Sequence, residues 1–234
     1  MATTNHEKYS RLVLMLVRGG TKITRALLEK RIKDLTPQNH EPDPWTIDQF
    51  LNANKQKIIG TQTGRAKERM LFPGTTCTNV EDWDLYMFCF VLIDICGVFR
   101  TVRMDVDQLR KIRNKLCHLN EPSINSEKYE HYVDKIEVIF DRLLAELNDR
   151  HLMIAIAEIL KAAKEEPLSF KETLIVVHKF FSMDAETREI LSQQSKDIEN
   201  VMEKVMELNS KVDLLLQDRV HDANEIVEVP GKKI

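Results

Sequence analysis

Arg113, Asn114 and His118 are the residues in this 234-residue chain whose types and spacing could do chemistry. They lie in the segment Leu109 to His118, where Asn114 and His118 are one helical turn apart. An arginine holds a phosphate and neutralises charge building on phosphorus, and a histidine moves a proton near neutral pH. RNA brings its own nucleophile, the 2′-hydroxyl, so such a pair needs no metal to cleave it. One chain offers one histidine here, and two chains around a two-fold axis would supply the second proton carrier. From Arg100 to His118 six Lys or Arg accompany only two acids, Asp105 and Asp107. Arg103, Arg110, Lys111 and Lys115 are therefore the RNA-contacting candidates.

Those residues must be positioned by helices. Seven glycines and seven prolines are few for this length, and 43% hydrophobic with 30% charged residues favours long helices around a buried core. A first helix is predicted over 8–34, with Gly19-Gly20 as a kink or a close packing point. A second follows over 45–59 behind a Thr46/Gln49 capping box, and 60–73 reads as a basic connection. The third, 81–99, is apolar nearly all round, with a Thr78/Glu81 capping box at its start. The fourth spans 105–119, with Asp105 and Asp107 suiting its dipole and Leu109, Ile112, Leu116 and Leu119 turned inward. Arg110, Asn114, Cys117 and His118 fall on its polar side, with Arg113 and Lys115 at the borders. The fifth covers 127–147, and Asn120-Glu-Pro122 separates it from the fourth. The fold class is thus all-α, an up-and-down bundle over 8–149.

A helical connector follows over 150–183, with a Ser169/Glu172 capping box, and then a charged helix over 184–220. In the latter, Ile198, Val201, Val205, Leu208, Val212 and Leu215 fall at a and d of three heptads, the pattern of a parallel two-stranded coiled coil. Met202, Met206, Leu214 and Leu216 widen the stripe, as a helix docked on the bundle would require. Residues 221–234 read as a flexible tail.

Other signals exclude classes of function. A net charge of −3 gives no global attraction to nucleic acid or anionic membrane. Cys77, Cys89, Cys96 and Cys117 fit no zinc ligand set, and they read as reduced thiols in an intracellular, cytoplasmic protein. The apolar run Leu85 to Ile93 is too short to span a bilayer. No phosphate-binding glycine loop is present, because Gly60-x3-Gly64-Arg lacks its Lys-Ser/Thr ending, and nothing calls for a cofactor. Asp94, inside the apolar third helix, is expected to pair with a basic side chain of the fourth.

The Arg113-Asn114-Lys-Leu-Cys-His118 segment resembles the Arg-polar-x3-His signature of the HEPN superfamily. Tyr9-Ser-Arg-Leu, Gly19-Gly20-Thr21 with Arg25, Leu71-Phe72-Pro73, Trp83-Asp84-Leu85 and the stretch from Tyr129 to Leu144 are similar to one branch of it. That branch is the HEPN-like domain of the DAZ-interacting, RNA-binding ubiquitin ligase and of many invertebrate multidomain proteins. The resemblance covers about residues 8–147 and includes no RING ligands. It implies a dimerising helical bundle that binds single-stranded RNA or cleaves it as a metal-independent endoribonuclease, with Arg113, Asn114 and His118 at the site. It equally implies a non-catalytic module for self-association and protein partners, through the C-terminal helix among others, at the N-terminus of a larger signalling or innate-immune protein.

Overall fold

Thr4 accepts a hydrogen bond from the Glu7 backbone N–H and opens the first helix, α1 (Asn5–Leu14). That helix continues through a π-helical turn, Met15–Gly20, into α2 (Thr21–Leu35). The computed structural model describes residues 4–38, 44–60, 64–74, 77–168, 176, 180 and 203–211. Among these it is all-helical, and no helix is long and apolar enough to cross a membrane. The chain divides into two compact units, Met1–Ala185 and Glu186–Ile234.

The rod from Asn5 to Leu35 lies in the first unit's core and touches most of the other long helices. Its Gly19-Gly20 pair is a close packing point. A Cβ at Gly19 would stand 2.6 Å from Cε2 of Phe140, and one at Gly20 would stand 3.2 Å from Cδ2 of Leu85. A wider π turn at this spot brings the backbone against both side chains, which a larger residue would push away.

The predicted second helix is split at Asn54 into α3 (Ile47–Ala53) and α4 (Lys55–Gly60), and the Thr46/Gln49 capping box is present in full. The expected basic connection contains α5 (Arg65–Leu71), whose residues are nearly all strong helix formers despite their polarity. The Thr78/Glu81 box does not form. Thr78 instead gives its backbone N–H to Asp48, and Asn79 caps a short 3₁₀ turn over Val80–Asp82. The buried third helix therefore starts later than expected, as α6 (Leu85–Phe90) capped by Asp84, and runs on through a π turn, Val91–Cys96. Gly97 ends it in the left-handed conformation, φ 64°. Lys57 donates to the Ile95 carbonyl (2.7 Å) and Arg31 to that of Gly97 (3.3 Å), so two cations meet the helix's unpaired end.

The fourth helix, α7 (Arg100–Cys117), begins earlier than expected, which places Asp105 and Asp107 mid-helix. Both acids serve in pairs instead of at the dipole. Asp105 is buried and takes the Arg142 guanidinium of α8 (Ser126–Leu147) at 2.9 Å, which locks the two helices side by side.

The predicted connector contains α9 (Arg150–Glu165), which packs on the rod. Arg11, itself buried, donates to the carbonyls of Ala163 (2.6 Å) and Glu166 (3.1 Å) and caps that helix's C-terminal end. Val176 and Phe180 are also helical and buried in the same core. The Ser169/Glu172 box lies outside the described residues. So do four of the six heptad positions, namely Ile198, Val201, Val212 and Leu215. Residues 203–211 are helical, with Val205, Met206 and Leu208 exposed.

Candidate functional site

The inner stripe of α7 explains where its polar residues end up. Leu109, Ile112 and Leu116 are buried, as their spacing requires. Leu119 is not, being 41% exposed, because α7 ends at Cys117 and leaves it in the turn beyond. Arg113 sits between Leu109 at i−4 and both Leu116 at i+3 and Cys117 at i+4, inside the apolar stripe rather than at its border. Cys117 is likewise buried and not on the polar side.

Arg113 is 3% exposed. Its Nη2 donates to Oδ2 of Asp84 at 3.0 Å and to the backbone carbonyl of Phe180 at 3.1 Å, and its Nη1 donates to Oδ1 of Asn114 at 3.4 Å. The guanidinium also lies 5.6 Å from the Tyr86 ring centre and 5.4 Å from that of Phe180, within cation–π range of each. Lys67 approaches Tyr86 as well, 4.6 Å from its ring centre and 3.0 Å from its hydroxyl. Close by, the buried Tyr9 hydroxyl donates to the Leu116 carbonyl at 3.4 Å. Burial raises the Tyr9 phenol above its ordinary value, with Cys117 adding to the rise and Arg113 opposing it.

His118 is five positions after Arg113, which at about 100° per residue puts them roughly 140° apart around the helix. One side chain therefore faces the core and the other faces solvent. His118 is exposed at the C-cap of α7, and its backbone N–H donates to the Asn114 carbonyl at 3.1 Å. Among the described residues its ring makes no hydrogen bond. Asn114 is half-buried and touches both, through its side chain to Arg113 and through its carbonyl to the His118 backbone N–H.

The expected RNA-contacting cations separate into two kinds. Arg110 is half-buried and held between Asp107 (2.6 Å) and Asp94 (3.6 Å), the pairing expected for Asp94. Lys111 is exposed but also bound to Asp107, at 2.7 Å. Burial alone would raise the Asp107 carboxyl, and the hydrogen bonds from Lys111 and Arg110 outweigh it and hold it low. Arg103 and Lys115 are exposed, with no acid partner among the described residues. Lys115 and Lys128 line one small recess of about 150 Å³ between α7 and α8.

Sequence reasoning missed Asp84, Tyr86 and Phe180 as Arg113's partners. A signal existed for Asp84, an acid at the mouth of an apolar helix that needs both a cap role and a counter-charge. None existed for Phe180. Among the described residues no cluster of His, Cys, Asp and Glu could hold a metal ion. No family model, no curated protein and no solved structure matches the chain.

Proposed function

We propose that the chain is a HEPN-type helical module that acts by associating, first of all with a second copy of itself, and not by cutting RNA. The observation that carries this reading is the burial of Arg113. A cleavage site needs a cation that can meet the reacting phosphate, and this guanidinium is 3% exposed and already holds Asp84, Asn114 and Phe180. Two of the other five basic residues on α7, Arg110 and Lys111, are neutralised by Asp107. Apolar side chains supply the alternative. Phe99 (69%), Met104 and Val138 are exposed on the α7 and α8 side, and Met153 and Ile154 on α9. Burying such side chains against a partner is favourable by about 25 cal/mol per Å² of apolar surface.

RNA cleavage remains the second reading, because His118 is exposed beside Asn114 and one turn from Lys115. In that reading the imidazole takes the 2′-hydroxyl proton as that oxygen bonds to phosphorus, the P–O5′ bond breaks with a proton given to the 5′-oxygen by the histidine of a second copy, and the phosphorane charge has to be met by a cation brought to it.

The two are separated by one preparation of the full chain. Sedimentation velocity across a concentration series is expected to show a monomer–dimer equilibrium. Incubation with single-stranded RNA in a chelator is expected to leave the RNA intact. Products with 2′,3′-cyclic phosphate ends, made by the wild type and lost in His118→Ala, would overturn the proposal. His118→Ala is the informative variant because its ring makes no hydrogen bond among the described residues, whereas Arg113→Ala empties a buried ion pair.

A further inference from the structure

Leu119 is apolar yet 41% exposed, and it lies in the turn between α7 and α8. With the buried Leu116 and Ile124 and the half-buried Tyr132 it lines the recess of about 150 Å³ at this end of the bundle. An apolar void of that size takes about one benzene ring. Contacts from α1 hold its wall in place. The Ile124 backbone N–H donates to the Asn5 carbonyl at 3.1 Å, His6 Nδ1 to the Pro122 carbonyl at 2.9 Å, and Lys8 Nζ to Ser126 Oγ at 2.8 Å. The recess is thus formed in advance, and an occupant does not have to order the turn around itself. Lys115 and Lys128 also line it, both exposed and without an acid partner among the described residues. The first turn of α8 is already capped by the Asn125 side chain, so the positive charge offered here is that of the two lysines.

We propose that this recess docks a short acidic segment of a partner protein, which seats one large apolar side chain in it and lays carboxylates against Lys115 and Lys128. Size and charge together choose this occupant. The volume admits one side chain such as Leu or Phe and not the face of a helix, so the partner presents a single anchor. Filling a preformed pocket with that anchor supplies the affinity. The lysines then select what flanks it, because opposite charges across an interface fix register and reject wrong partners. The Tyr132 hydroxyl makes no hydrogen bond among the described residues and can meet the segment's backbone. A nucleic-acid strand fits less well. Glu121, Glu127 and Glu130 are exposed on the same turn and helix start, and they repel a continuous phosphate backbone. A peptide carries its acids only where the lysines wait.

This goes beyond the self-association reading and uses none of the apolar side chains that carry it. The full chain is panned against a random peptide library displayed on phage, and an enriched peptide is then measured by fluorescence anisotropy. Enriched sequences are expected to hold one Leu, Ile or Phe with Asp or Glu within a few positions of it. The double variant Lys115→Glu with Lys128→Glu should weaken the peptide on the order of a hundredfold, since it sets like charges against each other. Leu119→Ala, which removes one wall, should weaken it on the order of tenfold. All three side chains are exposed, and urea midpoints check that the variants fold as the wild type does. No enrichment, or peptides that bind the double variant as tightly as the wild type, would overturn the site. Displacement of the peptide by a short oligouridine at comparable concentration would assign the recess to RNA, and loss of a dimer in the double variant would assign it to a second copy. Either result overturns the partner segment. A chain that sediments as a monomer throughout while still binding the peptide would sink the self-association reading and leave this one standing.

Discussion

Asp84 uses its two carboxylate oxygens on two different helices: Oδ1 accepts the Met87 backbone N–H at 2.9 Å, and Oδ2 lies 3.0 Å from Nη2 of Arg113. One residue thus starts α6 and neutralises Arg113 inside the core. Both side chains are almost completely buried, so the pair lives in a medium of low effective dielectric.

Breaking that pair from either side should be costly, because an uncompensated buried charge remains. Asp84→Asn keeps the cap geometry and is expected to lower unfolding stability by about 3–5 kcal/mol. Asp84→Ala should lose roughly 1 kcal/mol more with the cap. The double variant Asp84→Asn with Arg113→Met should recover much of the loss. Urea midpoints measure all three, and strictly additive losses would show that the two residues are not coupled.

Gly19→Ala forces a methyl to within 2.6 Å of the Phe140 ring, inside a filled core. Overpacking of this kind costs about 1–3 kcal/mol, more than the roughly 1 kcal/mol that alanine gains in helix propensity. Gly20→Ala meets only the flexible end of Leu85, at 3.2 Å, and should be near neutral. Phe140→Leu should rescue the first variant and not improve the second, as thermal midpoints will report.

Alkaline pH should destabilise the fold through its buried thiols. Burial pushes Cys96 up to about 12 and raises Cys89 further, whereas an unfolded thiol ionises near about 8.5. Their contribution is complete below the unfolded value. It declines as pH rises past about 8.5, because the unfolded chain then binds fewer protons, at up to about 1.4 kcal/mol per pH unit for each thiol. Urea midpoints at pH 7 to 10 should fall, and the slope should flatten in Cys96→Ala. In the native state at pH 8, Cys77 is exposed and should react with a thiol reagent well before Cys89, Cys96 and Cys117.

His118→Ala and Lys115→Ala should each change stability by less than about 0.5 kcal/mol, as exposed side chains do when, as here among the described residues, they make no hydrogen bond or ion pair. A loss of several kcal/mol in His118→Ala would mean that the imidazole is part of the core, and would remove it as a usable proton carrier.

The sequence by itself determined the helical class, the burial of Leu109, Ile112 and Leu116, and the Thr46 cap. Each follows from periodicity or from residues within a few positions, where the chain's own geometry dictates the outcome. It left Gly19-Gly20 open between a kink and a packing point, which the contacts with Phe140 and Leu85 decide. It left Arg113 at the border of the Leu109 stripe and Cys117 on the polar side, where the structure buries both. α5 was hidden because a polar run of good helix formers carries no apolar rhythm. The start of α7 was misplaced because an acid such as Asp105 or Asp107 suits a helix start and an ion pair equally well, and only the folded chain sets Asp105 against Arg142 of α8 and Asp107 against Arg110 and Lys111 of its own helix. The fate of Arg113 belonged to the tertiary structure alone. Whether an arginine on a helix faces water or the core depends on whether a buried counter-charge waits for it. Here that counter-charge comes from Asp84, 29 residues earlier, and the covering carbonyl from Phe180, 67 residues later. His118, on the opposite side of the same helix, met no such partner and stayed in solvent.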